Sequence, residues 1–371
     1  MAPIQQTVHR NWIFLLLVTL LLFLPVTIRA EMPGAEELFQ KVLNSLKTVD
    51  YKGKLTFISM VPDEHPVREA VVIREAPDKQ SIEFVQPDEM RGMGMVMNKD
   101  ERWRLRGERP RGRRPFLSPP PNRMMEQLPL RNIQILLRNH DVRVLNGGSV
   151  AGRDTYLIEL EPKMPNRPSK KFWIDVEMGV LLKVEDYDFQ RRLKNVFAFS
   201  DIDFEPEIDE ATFRKRQKPD ERRGPRKGPE REELWSYGKG KLDLNEVRKT
   251  AKLDVIMPEQ PPAGFDLQSI QVMSVGRRRN VHLSYTNGLT ILSVFQSPDG
   301  EDHRRPPEDR PPWPGIKAEK ANISGVECEI ISGGGMLIYR WNHKDLQLTL
   351  MGELGKEEMT GIVGSFISEV K

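Results

Sequence analysis

The sequence predicts an α+β fold: an antiparallel sheet, open or curled, with covering helices, followed by a second, smaller α+β unit. Three observations predict it. Runs of period-two alternation dominate from Tyr51 onward, helical periodicity is confined to a few short stretches, and a charged, proline-rich segment divides the two sets of strands. Strands that follow one another at such short spacing argue antiparallel pairing rather than βαβ units. With 371 residues, 38% hydrophobic and 30% charged, the chain is long enough for two cores and too polar for a multi-span membrane protein. Its 57 basic and 54 acidic residues nearly balance at a formal +3, so no overall affinity for nucleic acid is implied.

In chain order, residues 1–30 have the layout of an export signal or amino-terminal anchor. His9 and Arg10 precede an uncharged apolar run from Trp12 to Ile28, and Arg29-Ala30-Glu31 follows. The run is slightly short for a spanning helix of roughly 20 residues, so removal at Ala30 is the first expectation and an uncleaved anchor the second. Either implies export to an oxidising or envelope compartment. Pro33-Gly34 then opens a helix from Ala35 to Val49. There Leu38, Val42, Leu46 and Val49 form a stripe widened by Phe39 and Leu43, while Glu36 and Glu37 suit the helix start.

The first set of strands occupies residues 31–212. Tyr51, Gly53, Leu55 and Phe57 alternate, and further strands are expected at Ala70 to Arg74, Ser81 to Val85, Met93 to Met97 and Arg102 to Arg106. A short helix is expected from Leu128 to Asn139. The clearest meander follows. Tyr156, Ile158 and Leu160 alternate with Leu157 and Glu159, Phe172 and Ile174 with Trp173 and Asp175, and Met178-Gly179 turns into Val180 to Tyr187 before a strand from Arg191 to Phe204. Gly147-Gly148 and Gly333-Gly334-Gly335 lack phosphate-loop spacing and read as turns or bulges.

Residues 213–242, densest in charge, proline and glycine from Arg214 to Glu232, read as a linker that buries too little apolar surface to order itself. The second unit spans 243–371. Val281, Leu283 and Tyr285 lead into Asn287-Gly288, a strong hairpin signal, then Leu289 to Phe295. A second hairpin joins Met336 to Trp341 with Leu346 to Met351. A closing helix carries the stripe Met359, Ile362, Val363, Phe366 and Ile367, which must cover a sheet face.

The chemistry-bearing residues point away from catalysis. One cysteine, Cys328, allows neither an internal disulfide nor a thiolate zinc cluster, and its strand setting reads as a buried hydrophobe. The six histidines show no metal-ligand spacing, and His282 is expected on the side of its strand opposite Val281 and Leu283. There is no serine elbow of the G-x-S-x-G type. No cofactor, metal site or catalytic residue is expected.

Two groups suggest binding. Met93, Met95 and Met97 share one strand face, and methionine adapts to variable apolar guests. Leu55, Phe57, Phe84, Trp103, Trp173 and Phe197 are the expected partners in lining an apolar hollow, against the plainer reading of ordinary core packing. Between Gly107 and Arg123, Arg109, Arg111, Arg113, Arg114 and Phe116 sit among prolines, where they read as a solvated loop or as a contact for an acidic partner or anionic membrane.

Val150-Ala151-Gly152-Arg153, Tyr156 to Pro162, Phe172-Trp173-Ile174-Asp175 with Gly179, Leu181 and Leu182, and Asn195 to Phe199 resemble the amino-terminal domain of the RseB/MucB regulators. Pro262-Ala263-Gly264-Phe265, Tyr285 to Leu289, Leu292 to Phe295 and Gly352-Glu353-Leu354 resemble that family's carboxy-terminal domain. Met90 to Met97, with Glu101-Arg102-Trp103, looks closer to generic lipoprotein-sorting proteins. The resemblance implies a half-barrel sheet of the LolA/LolB lipoprotein-carrier type around an apolar cavity. It also implies a periplasmic regulator that binds the periplasmic domain of an anti-sigma factor and responds to lipid acyl chains or envelope stress. The alternatives are a periplasmic lipoprotein or lipid carrier, which needs no protein held inactive, and a structural envelope protein with closed sheets. Oligomeric state is not legible.

Overall fold

The computed structural model describes residues 32–60, 67–99, 101–105, 107, 133–214, 243–258, 260–275, 278–299, 317–333 and 335–368. The stretch expected to be an export signal or anchor, the arginine-rich insert from Glu108 onward, nearly all of the expected linker and most of the Asp299–Gly315 loop lie outside them. Residues 34–371 pack as one compact unit.

Helix α1 (Ala35–Thr48) has Glu36 and Glu37 in its first turn and Lys47 in its last, each matched to the helix dipole. Its buried residues are Leu38, Phe39, Val42 and Ser45, so the stripe runs past Leu46 to Ser45. The Ser45 hydroxyl donates to the carbonyls of Val42 and Gly179, which lets a polar side chain enter the core.

The first sheet comprises β1 (Tyr51–Ser59), β2 (Val67–Glu75), β3 (Lys79–Gln86), β4 (Gly94–Asn98), β5 (Glu101–Leu105), β6 (His140–Val150), β7 (Arg153–Pro162), β8 (Ser169–Asp175), β9 (Leu181–Tyr187) and β10 (Leu193–Asp203). Their order is β5-β4-β3-β2-β1-β10-β9-β8-β7-β6. Two meanders are thus joined through the antiparallel β1–β10 pair, which sets Leu55 opposite Phe199 and Phe57 opposite Phe197. Helix α2 (Ile133–Asn139) runs straight into β6.

β6 is not among the strands expected from the sequence. Its Asn146-Gly147-Gly148 run, readable as a turn or a bulge, is a bulge within a continuous strand, where the register against β7 shifts between Asn146 and Gly148. A side chain at Gly147 would meet Thr155 Oγ1 at 2.4 Å, so this close approach needs glycine.

The second sheet comprises β11 (Asp266–Val275), β12 (Arg278–Thr286), β13 (Ile291–Pro298), β14 (Lys317–Ile323), β15 (Val326–Gly333), β16 (Met336–His343) and β17 (Leu346–Gly352), in the order β11-β12-β13-β17-β16-β15-β14. Helices α3 (Leu244–Ala251) and α4 (Lys356–Ser368) contribute Val247, Met359, Val363 and Phe366 to its core. Asp243 caps α3 by accepting the Asn245 N–H at 3.1 Å. Both expected hairpins form, and Cys328 is wholly buried on β15, its thiol pushed up to about 11 by that burial. Both sheets are antiparallel and open, as the α+β reading expected.

Candidate functional site

Cross-strand partners share a face, so the register identifies the inner face of the first sheet. One row runs Phe84, Ala70, Leu55, Phe199, and a second runs Phe57, Phe197, Val184, Phe172, Ile158. Along these rows the apolar residues gather into two clusters. The first holds Leu55, Phe57, Phe84 and Phe197, which are 3%, 5%, 6% and 7% exposed, with Met93 packed against them. The Phe57 and Phe197 rings meet edge-to-face with centroids 3.9 Å apart. These four are core side chains in this conformation.

Met95 and Met97 lie on the same face but only half-buried, opposite Ile82 and Gln80. Their neighbours on β5 are Arg104 and Arg102, both exposed. The sheet therefore ends in a methionine rim edged by two guanidinium groups.

Two of the expected lining residues belong elsewhere. Trp103 pairs with Val96, and through it with Ser81, on the opposite face. That face is covered by the 3₁₀ turn Glu210–Phe213, whose buried Phe213 ring lies 5.7 Å from the Lys79 ammonium. Trp173 pairs with Leu157 and Lys183, and the Lys183 ammonium sits 4.2 Å from the ring centroid. Strand parity decides both cases: Trp173 follows the inward Phe172, so it must point outward. Arg109, Arg111, Arg113, Arg114 and Phe116 lie outside the described residues.

The second inner cluster unites α1, α2 and β7–β9, with Phe39 and Phe172 rings edge-on at 6.4 Å. It includes Leu289, from the β12–β13 turn of the second sheet. Around this contact the two sheets meet. Asn139 Nδ2 donates to the Asn287 carbonyl at 3.1 Å, Arg138 pairs with Asp266 at 2.5 Å, and Lys194 with Glu353 at 2.6 Å. Arg167, 2% exposed, pairs with Glu358, donates to the Ala263 carbonyl at 2.8 Å and lies over the Phe265 ring at 4.6 Å.

Burial lowers the Arg167 pKa, opposed by the Glu358 charge, and raises that of Glu358, opposed by Arg167. Beside them a shallow cleft of about 10 Å³, room for about one water, is lined by Asn139, Pro162, Met164, Arg167, Gly264 and Asn287. Sequence reasoning missed this junction. Asn287-Gly288 is legible as a turn, but nothing local marks a turn as buried.

Among the described residues no group of three or more histidine, cysteine or carboxylate side chains gathers as a metal site would require. His282 is buried and stacked on Phe295, centroids 4.4 Å apart, and burial pushes its pKa down to about 4. It lies on the face opposite Val281 and Leu283, as expected, but inside the structure rather than in water. None of the described helices is long and apolar enough to cross a membrane.

Residues 112–217 match the MucB/RseB N-terminal domain family. That span contains the motifs from Val150 to Phe199, whereas the second-sheet motifs lie beyond it. The solved structure of MucB in complex with MucA(peri) aligns with 90% of this chain and 98% of its own, at 14% identity and a TM-score of 0.53. The MucA/MucB complex of Pseudomonas aeruginosa aligns over 90% and 97% at 15% identity and a TM-score of 0.46. A LolA superfamily protein of Nitrosomonas europaea aligns over 49% and 98% at 14% identity and a TM-score of 0.25. At these identities the likeness is one of fold, and it rests on the first of the three. No curated protein sequence matches. The family resemblance read from the sequence thus holds over residues 112–217, within a MucB-like fold.

Proposed function

We propose that this chain, MucB-like in fold and matching the MucB/RseB N-terminal domain over residues 112–217, is a regulatory binding protein that holds the periplasmic domain of an anti-sigma factor. The family match carries the reading, and the MucB fold extending across 90% of the chain supports it. The apolar run from Trp12 to Ile28 supports export, and hence action in the periplasm. Both sheets are open, so edge strands such as β6 offer backbone donors and acceptors to an extended partner segment.

The test is calorimetric titration of residues 31–371 with the periplasmic segment of a single-span anti-sigma factor from the same organism. A complex with Kd at or below about 1 µM is expected. Absence of both heat and co-migration on size exclusion removes the regulatory reading.

A lipid-sensing role is favoured by one observation. Met95 and Met97 form a half-buried rim on the inner face beside Arg102 and Arg104, an apolar edge next to cationic groups that suits an acyl chain with an anionic head. With Leu55, Phe57, Phe84 and Phe197 closed on one another, a guest enters only by displacing side chains. Native mass spectrometry of the purified chain is expected to show co-purified acyl ligands. A ligand but no protein partner would mark a carrier, and neither would leave a structural envelope protein.

A further inference from the structure

We propose that the β12–β13 turn is a removable plug: Leu289 fills, from the second sheet, a place in the first sheet's apolar core that an alkyl chain takes when the sheets part. Leu289 is 8% exposed and belongs to the cluster of Phe39, Leu136, Ile158 and Phe172, whereas Leu292, three residues on, belongs to the core of its own sheet. Turns of this kind ordinarily lie in solvent. Here Thr286, Asn287 and Thr290 are buried as well.

The turn is a preformed peg. Asn287 Oδ1 accepts from the backbone N–H groups of Leu289 at 2.9 Å and Thr290 at 2.8 Å, and Thr286 Oγ1 accepts from the Gly288 N–H at 3.0 Å. Rigidity of that order lets Leu289 enter without ordering the loop anew. Gly288 makes the entry possible. Its φ is +92°, and a side chain there would stand 2.5 Å from the backbone of Leu136.

What holds the peg in place is weak by the standards of a core. Around Leu289 the junction holds ion pairs, single hydrogen bonds and the Arg167–Phe265 ring contact. Arg138–Asp266 is largely solvent-exposed, Lys194–Glu353 partly so, and Arg167–Glu358 is the one with a fully buried member. Such polar inter-unit surfaces open readily. Leu289 shares its cluster with Phe39, Leu136, Ile158 and Phe172, so the place it vacates lies in a hydrocarbon core that suits an alkyl chain and disfavours a polar ligand. Plug and alkyl chain compete, so each weakens the other's binding by the same factor. Ligand binding at the first sheet would thereby release the second.

The inference rests on the lipid-sensing half of the proposed function but seats the alkyl chain in the second inner cluster, across the sheet from the methionine rim, and its test separates the two. Residues 31–371 are titrated with cis-parinaric acid, read by fluorescence, as wild type, Leu289→Ala, Gly288→Ala and the control Ile330→Ala, which trims the second core away from the junction. Loosening the plug raises the binding-competent fraction, so Leu289→Ala and Gly288→Ala are expected to bind about tenfold tighter than wild type and Ile330→Ala to bind as wild type does. In wild type, saturating cis-parinaric acid is expected to speed hydrogen exchange at residues 286–290, a readout that needs no variant to fold.

Binding by wild type with neither tighter binding in the variants nor faster exchange at 286–290 overturns the plug and leaves lipid sensing standing. No binding by any form overturns both.

Discussion

His282 shows what a single side chain can carry unseen. On β12 it alternates with Val281 and Leu283 and so looks outward, yet it is buried against the Phe295 ring with its pKa pushed down to about 4. Unfolded, it would titrate near 6.5. The unfolded chain therefore binds a proton that the folded one refuses as pH falls below about 6.5. The stability tied to this residue is full above that value, falls as pH drops toward 4, and levels below it. The loss is on the order of 3 kcal/mol. Urea unfolding at pH 7 and pH 4.5 is expected to show His282→Leu losing less stability over that interval than wild type. An equal loss in both would mean that carboxylates alone set the acid limit.

On the scale of one element, β8 gives a sharp contrast between adjacent aromatics. Phe172 is 2% exposed and packs edge-on against Phe39, while Trp173 lies under Lys183 on the outer face. Phe172→Ala removes a core ring and is expected to cost about 3–5 kcal/mol. Trp173→Ala, though it deletes more atoms, removes a half-exposed cation–π contact and is expected to cost about 1 kcal/mol. Chemical denaturation of the two variants checks the ordering, and a reversal would place the sheet's core on the other face. β6 teaches the complementary lesson. Its glycines read locally as a turn or a bulge, and ten residues paired with β7 decide for the bulge.

For the molecule as a whole, the junction between the sheets decides how they unfold. Arg167 is buried with one charged partner, so Arg167→Ala leaves Glu358 half-buried and unpaired, a loss of about 3 kcal/mol. If the junction couples the sheets, wild type is expected to melt in one calorimetric transition and Arg167→Ala in two. Two transitions in wild type would show that the sheets fold independently and that the Leu289 contact adds little. Glu358→Gln in the same background is expected to recover part of the loss, because a neutral amide is cheaper to bury alone than a carboxylate.

Most first-sheet strands, the helices α1, α2 and α4 and both second-sheet hairpins were legible because period-two and 3.6-residue alternation is written locally, residue against neighbour, whereas β6, β11, β14 and α3 were not foreseen. The buried strand cysteine and the MucB/RseB likeness were legible for the same reason: both lie in short runs. Face assignment was legible only within a strand. Phe172 and Trp173 had to diverge, but whether Trp103 sided with Leu55 depended on the register through β2, β3 and β4, which no single segment encodes. The burial of Asn287 to Leu289 lay further still from the sequence, since a turn enters a core only when a second surface closes over it. Alternation is a property of neighbours in the chain, and burial is a property of what the chain brings back from a distance.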